Sequence, residues 1–247
     1  MAESESQKNR VSRRNFLAGA AGAAAFSVVP AHVLGGSGGT SPSDKLNIAG
    51  VGVGGMGKNN VNNVKDQNVV ALCDVDTKYA AGVFKKYPKA NVYTDYRKML
   101  EKEKDLDAVI VATPDHTHAV ITAAAMKMGK HVYTQKPLTH SVWEARQLRK
   151  IAEETGVTTQ MGNQGHSQDS VRKCREWVES GVIGDVHTVH CWTNRPIWPQ
   201  GDVKNPSKSV PDHIDWDLWL GPAAKRPYSP VYHPFKWRGW WDFGTGA

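Results

Sequence analysis

The sequence predicts an α/β fold, in which a Rossmann-type doubly wound parallel sheet is followed by the incomplete start of a second α/β domain. Short apolar runs, typical of buried strands, alternate with helical segments between residues 46 and 161. A glycine-rich turn joins the first strand to the first helix. The composition, 40% hydrophobic and 22% charged, is that of an ordinary globular protein. Repeated strand–helix units favour a parallel sheet with helices on both faces.

Each predicted element has a local signal. The first strand is predicted at 46–51 and the first helix at 58–64. Asp95 is expected to cap a helix that ends at Glu101, and Ser141-Val142-Trp143-Glu144 has the pattern of a capping box. The remaining strands are predicted at 69–73, 92–93, 107–112, 131–134 and 157–161, and the remaining helices at 77–85, from the turn 113–118 to 128, at 141–154 and at 167–180. A strand at 186–192 is expected to open the sheet of the second domain.

Residues 1–43 have the order of an export signal followed by a flexible linker. A polar, basic segment ends in Arg13-Arg14, an uncharged stretch covers 16–29, and a glycine-rich run follows. The arginine pair followed by Phe16-Leu17 resembles a twin-arginine signal. We therefore expect the twin-arginine export machinery as a partner. The protein would then be periplasmic, or membrane-associated if the signal is not cleaved.

The glycine-rich turn has the spacing of a dinucleotide-binding loop. The strand at 46–51 runs into Gly52-Val53-Gly54-Gly55-Met56-Gly57, and a helix follows. In this G-x-G-x-x-G pattern, Gly52 permits the tight turn, Gly54 lets the backbone approach a pyrophosphate, and Gly57 lets the helix pack closely. Gly55 and Met56 are expected to contact the cofactor from the same turn, at the positive end of the helix. An alternative register through Gly50, Gly52 and Gly55 would shorten the strand.

An acidic residue after the second strand supports the same interpretation. Asp74 follows Gly52 by 74 − 52 = 22 residues, close to the spacing of the acid that binds the adenosine ribose. Its carboxylate would accept a hydrogen bond from the 2′-hydroxyl and repel a 2′-phosphate, so NAD is expected and NADP is less favoured. Asp76 is the alternative candidate. The sequence therefore predicts a Rossmann NAD-binding domain at 44–165 and a partial substrate domain at 166–247.

Two further clusters lie at predicted strand ends, where doubly wound sheets bind their ligands. They are Ala112-Thr113-Pro114 with His118, and Gln135-Lys136-Pro137-Leu138. Together with the glycine loop, and in this order, these motifs resemble the glucose–fructose oxidoreductase / inositol dehydrogenase (Gfo/Idh/MocA) family. The resemblance extends over roughly residues 45–165 and is looser beyond.

The resemblance implies an N-terminal Rossmann domain, a C-terminal α/β domain and a nicotinamide-dependent reaction at a sugar or cyclitol carbon. It places Lys136 near the nicotinamide and the reacting hydroxyl, and Thr113, Pro114, His118 and Gln135 around the cofactor. The usual Glu-Lys-Pro of the family is Gln135-Lys136-Pro137 here, so one charge partner of Lys136 is lost. Two interpretations of His116 stay open: it is a residue of the site, or it only begins a helix.

The second-domain segment carries seven of the nine tryptophans, between residues 192 and 241. Aromatic rings can stack on sugars, but packing is the more common role of any one tryptophan. The family's aspartate followed by a histidine four residues later does not occur in this sequence. We therefore expect the chain to be a fragment that is inactive alone, with a homo-oligomer forming through the second-domain sheet.

The sequence is compatible with three functions. The first is an NAD-dependent oxidoreductase that acts on a sugar or cyclitol hydroxyl carbon. The second is a glycosidase of the same family that oxidises its sugar transiently, and the third is a non-catalytic sugar- or nucleotide-binding protein. The net charge is +7, but the basic residues are scattered, so no nucleic-acid partner is expected. No metal site is expected, because His116 and His118 have no third ligand nearby.

Overall fold

The computed structural model describes residues 41, 44–194 and 209–245. It divides into two units, residues 1–45 and residues 46–247. The predicted twin-arginine signal lies outside the described residues. In the part of the chain that is described, no helix is long and apolar enough to cross a membrane.

Six parallel strands form one sheet in the order β3-β2-β1-β4-β5-β6. The strands are β1 (Asn47–Val51), β2 (Asn68–Cys73), β3 (Asn91–Tyr93), β4 (Ala108–Val111), β5 (His131–Gln135) and β6 (Thr159–Gly162). The strand order reverses at β1, so the carboxyl ends of β1 and β4 border a crevice. This arrangement confirms the predicted doubly wound α/β fold and all six of its strands.

Helices cover both faces of this sheet. They are α1 (Met56–Asn63), α2 (Ala81–Lys86), α3 (Tyr96–Lys102), α4 (Asp115–Lys127) and α5 (Val142–Thr155), followed by α6 (Asp169–Glu179) and α7 (Trp216–Leu220). Successive strand residues point to opposite faces. Ile110 therefore packs with α1 and α2, whereas Val109 and Val111 pack with α3, α4 and α5.

Local capping sets several helix boundaries. The Asp95 side chain accepts a hydrogen bond from the Arg97 amide and begins α3. Ser141 and Glu144 form the predicted capping box of α5, which ends at Gly156 in the left-handed conformation. One boundary differs from the prediction: the helix expected at 77–85 begins only at Ala81. The reason is that the Asp76 carboxylate accepts the Lys78 and Tyr79 amides and holds this stretch as a turn.

The described part of the second-domain segment contains helices and turns but no strand. Helix α6 confirms the helix predicted at 167–180. The strand predicted at 186–192 is wrong for this structure, in which these residues are irregular and exposed. A strand needs a neighbour for its amides and carbonyls, and no described strand lies beside it. Residues 209–245 instead build an aromatic cluster around Trp216, Trp219 and Phe243.

Candidate functional site

A cavity of about 670 Å³ lies at the carboxyl ends of β1, β2, β4 and β5. Its size is that of a site for a cofactor-sized ligand. Every residue that the sequence analysis assigned to the site lines this cavity, except Gly57. The predicted residues that line it are Gly52, Gly54, Gly55, Met56, Asp74, Thr113, Pro114, His118, Gln135 and Lys136.

The glycine loop adopts a conformation that side chains would block. Gly52 has φ +79°, and a Cβ atom there would lie 2.7 Å from the Thr113 backbone nitrogen. A Cβ on Gly57 would collide with the Gly52 carbonyl oxygen, which explains why Gly57 packs the loop rather than lining the cavity. Gly54 lies against the Tyr79 ring. The loop therefore occupies the later of the two registers considered, with its turn at Gly52.

The amino end of α1 has the free donors that a phosphate requires. No side chain caps this helix at Gly55. The Lys58 amide donates to the Gly55 carbonyl oxygen, and the amides before it in this first turn are the ones that would bind an anion. The glycine cradle, this uncapped end and the neighbouring carboxylate fit the diphosphate and ribose of a dinucleotide.

Asp74 supplies that carboxylate. Its Oδ2 accepts a hydrogen bond from the Gly54 amide at 2.9 Å, and its Oδ1 accepts one from the Asp76 amide at 3.0 Å. Burial raises the pKa of Asp74 to about 6, although the Asp76 and Gly54 amides oppose the shift. Asp74 thus ties the end of β2 to the glycine loop and titrates close to neutral pH.

His118 joins two edges of the cavity. Its Nδ1 lies 2.8 Å from the Pro137 carbonyl oxygen and its Nε2 lies 2.8 Å from the Thr113 carbonyl oxygen. Burial lowers the pKa of His118. A neutral imidazole carries one N–H, so it donates to one of these carbonyls at a time. The side chain holds α4 against the segments that follow β4 and β5.

Gln135 and Lys136 differ in their surroundings although they are adjacent in sequence. Gln135 is buried, and its Nε2 donates to Asn60 Oδ1 at 3.0 Å, which links β5 to α1. Lys136 is exposed and borders the cavity. The structure therefore gives the amide a packing role and leaves the ammonium at the ligand-accessible wall.

The structure assigns His116 to the aromatic cluster and not to the cavity. The ring is 2% exposed, and its Nε2 donates to the Trp219 carbonyl oxygen at 2.9 Å. Burial lowers the pKa of His116 to about 4, so the ring is neutral near pH 7. Its contacts with Trp219 and Phe243 anchor the second-domain segment to the start of α4.

Asp76, the alternative candidate for the ribose-binding acid, does not line the cavity, whereas Asp74 does. Asp76 Oδ1 accepts from His213 Nδ1 at 3.0 Å, and its Oδ2 accepts from His233 Nε2 at 2.7 Å. Because these histidines follow it by 137 and 157 residues, no local pattern reveals the contact. His233, Trp219 and other aromatic residues of this segment also line the cavity.

Comparisons with known proteins cover both halves of the chain. Residues 46–163 match the family model described as an oxidoreductase family with an NAD-binding Rossmann fold. Residues 167–247 match the model of the C-terminal alpha/beta domain of that oxidoreductase family. Together the two matches account for most of the chain.

Curated relatives include dehydrogenases. The inositol 2-dehydrogenase of Rubrobacter xylanophilus is 31% identical over 147 residues, 58% of this chain and 42% of that protein. The 4-carboxy-2-hydroxymuconate-6-semialdehyde dehydrogenase of a Sphingobium species is 28% identical over 178 residues, 69% of this chain and 55% of that protein. The chain thus spans about half the length of the curated relatives it matches.

The chain also aligns with solved structures. The myo-inositol 2-dehydrogenase from Lactobacillus plantarum aligns with a TM-score of 0.54 at 25% identity, over 57% of this chain and 43% of that one. An inositol dehydrogenase homologue from Azotobacter vinelandii, complexed with NADH and myo-inositol, aligns with a TM-score of 0.51 at 29% identity, over 57% of this chain and 41% of that one.

Proposed function

The chain belongs to the Gfo/Idh/MocA oxidoreductase family, and from this premise we propose that the protein transfers a hydride between NAD and a hydroxyl-bearing carbon of a sugar or cyclitol. One observation carries the proposal. The glycine loop, Asp74 and Lys136 line a single cavity at the reversal of strand order, where this fold class binds dinucleotides.

The residues of β1, α1 and β2 would hold the cofactor. The loop from Gly52 to Gly57 and the uncapped end of α1 would bind the pyrophosphate. Asp74 would accept a hydrogen bond from the adenosine ribose, and its negative charge favours NAD over NADP. When bound, NAD supplies the nicotinamide ring that accepts or donates the hydride.

The residues after β4 and β5 would face the reacting end. Thr113, Pro114, His118 and Lys136 line this part of the cavity. Oxidation of an alcohol also releases the hydroxyl proton. We assign Lys136 the role of orienting that hydroxyl or moving its proton, which general acid–base catalysis requires at hydrogen-bond distance.

Aromatic residues of the second-domain segment support a carbohydrate-like substrate. Trp219, Phe235 and Trp237 line the same cavity as the glycine loop, and aromatic faces pack against the apolar faces of sugar rings. Several relatives are named as inositol dehydrogenases. We extend that substrate class to this protein as part of the proposal.

The proposal is tested by titrating NAD and NADP separately into the purified protein and measuring binding by calorimetry. We expect clear NAD binding and weaker NADP binding. A panel of aldoses and cyclitols that includes myo-inositol then tests turnover, followed by NADH absorbance at saturating NAD. A folded protein that binds neither nucleotide would overturn the proposal. Release of free sugar from a glycoside without net NADH would replace it with the redox-assisted glycosidase.

We also propose export by the twin-arginine route, on the basis of Arg13-Arg14 and the uncharged stretch after them. Cell fractionation of the expressed protein, with mass spectrometry of its N-terminus, tests this. We expect the protein outside the cytoplasm, and an Arg13→Lys/Arg14→Lys variant should be retained inside. Equal export of that variant would contradict the assignment.

A further inference from the structure

The position before Lys136 carries no charge in this chain. Gln135 is buried and its amide is bonded to Asn60, so it cannot serve as a negatively charged partner for the neighbouring ammonium. Lys136 still borders a cavity with several carboxylates in its wall, which are Asp74, Asp95, Asp115 and Asp217. The order of the strands decides which of them lies near Lys136.

Asp115 is the carboxylate on the neighbouring strand connection. It begins α4 just after β4, and β4 pairs directly with β5, at whose end Lys136 lies. Asp74 follows β2, which lies three strands from β5, about 14 Å away at roughly 4.8 Å per strand. Asp95 follows β3, one strand further. Asp217 lies on α7, where it forms an ion pair with Lys225.

Two buried contacts fix α4 relative to β5. The hydroxyl oxygens of Thr122 and Thr134 are 2.7 Å apart in a buried hydrogen bond. One turn after Asp115, His118 contacts the carbonyl oxygen of Pro137, the residue that follows Lys136. The first turn of α4 and the backbone around Lys136 are therefore held as one unit, which places Asp115 and Lys136 on adjoining segments of the cavity wall.

We propose that Asp115 is the carboxylate partner that positions the Lys136 ammonium in the cavity, in the place left uncharged by Gln135. Asp115 is 6% exposed and lines the cavity with Lys136. The role given to Lys136 rests on the proposed function, but the charge pair itself does not. Asp115 acts through Lys136, so it is a positioning residue.

The electrostatics of Asp115 agree with this geometry. Burial raises its pKa to about 6, and the opposing positive charges, in decreasing order, are Arg238, Lys136 and His140. A hydrogen bond from the Thr245 amide also favours the carboxylate form. Asp115 is therefore a buried acid whose ionisation depends in part on the Lys136 charge.

The test is the titration of the Asp115 carboxyl in the whole protein, followed by NMR with ¹³Cγ-labelled aspartate. An Asp115→Asn variant assigns the resonance, with Asp115→Glu as the alternative if the first does not fold. Lys136→Met should raise the Asp115 midpoint by about 0.5 to 1 pH unit, because a nearby positive charge favours the carboxylate. Lys136→Arg keeps the charge and should leave the midpoint in place, as should Lys150→Met on the exposed surface of α5.

The outcomes are separable. A higher Asp115 midpoint in Lys136→Met but not in Lys136→Arg supports the charge pair. An unchanged Asp115 midpoint in Lys136→Met, or equal shifts in Lys136→Met and Lys136→Arg, overturns the charge pair. Lys136 is exposed, so its substitution removes no core contact, and Lys136→Gln provides a second neutral variant. The NMR titration needs neither cofactor nor substrate. An Asp115 midpoint that does not change in Lys136→Met therefore refutes the charge pair, whereas absence of NAD binding refutes the proposed function.

Discussion

At the scale of single residues, Asp74 makes structural contacts in the free protein and has a ligand contact in the proposed function. Its two oxygens already accept the Gly54 and Asp76 amides, and burial raises its pKa to about 6. The ionised carboxylate is a much stronger acceptor for a ribose hydroxyl than the protonated acid. Protonation of the free protein should therefore weaken NAD binding by up to tenfold per pH unit below about pH 6.

This prediction is checked by NAD titrations between pH 5 and pH 8. Asp74→Asn should weaken NAD binding about 10- to 100-fold at pH 8, since hydrogen bonds to charged groups contribute about 1.5–3 kcal/mol. It should also flatten the dependence on pH. Asp66→Asn, at an exposed turn, is the matched control and should behave as the parent protein. A full pH dependence that persists in Asp74→Asn would assign it to another group.

The glycine loop gives a second prediction at this scale. An alanine Cβ at Gly52 would lie 2.7 Å from the Thr113 nitrogen at a positive φ, and at Gly57 it would collide with the Gly52 carbonyl. Either substitution should lower the free energy of unfolding by about 1–3 kcal/mol. Gly82, inside α2, has open space around it, so Gly82→Ala should raise that energy by about 0.5–1 kcal/mol. Urea unfolding measures all three, and a neutral Gly57→Ala would contradict the packing argument.

At the scale of the elements, the apolar strands could be predicted because each is a short β-branched or apolar run that ends in a distinctive turn. The capping box of α5 and the left-handed Gly156 were predictable for the same reason: their partners are within a few residues. The strand expected at 186–192 has a suitable composition, but composition does not supply a neighbouring strand. The start of α2 was misplaced because the turn at Thr77 depends on Asp76 and on His213, far along the chain.

Helix α4 is held to both neighbouring strand ends by His118, and this gives the element-scale prediction. His118→Ala would create a buried cavity and leave the Thr113 and Pro137 carbonyls without this side chain. We expect a loss of about 2–4 kcal/mol in the free energy of unfolding. His166→Ala, in the exposed turn before α6, should change it by less than about 0.5 kcal/mol. Equal effects of the two substitutions in urea unfolding would show that His118 does not hold the helix.

At the scale of the whole molecule, the sheet and the second-domain segment meet around one cavity. The sequence located the glycine loop, Asp74 and the residues after β4 and β5, because each lies at the end of its own strand. It could not place Tyr79, His233 or Trp219 at the same cavity. Their positions follow from long-range packing of the aromatic cluster, and isolated tryptophans and histidines give no spacing that encodes it.

Asp76 is the polar centre of that packing. Burial alone would raise its pKa, but the Tyr79 amide and His233, with a further contribution from His213, outweigh burial and lower it. A lowered pKa means that the folded protein binds the Asp76 proton less readily than the unfolded chain. The stabilisation is therefore present above the ordinary pKa of aspartate, near 4, and is lost as pH falls through the folded value.

Removing this carboxylate should release the second-domain segment from the sheet. Asp76→Ala leaves both histidines and the Lys78 and Tyr79 amides without their acceptor, and should cost about 3 kcal/mol. Hydrogen exchange followed by mass spectrometry should show faster exchange in peptides covering 213–243, and unchanged exchange in β4 and β5. Asp217→Ala, an exposed carboxylate on the same segment, is the control. Unchanged exchange in Asp76→Ala would mean that the aromatic contacts of His116 and Trp219 suffice to hold the segment, and that Asp76 only shapes the turn before α2.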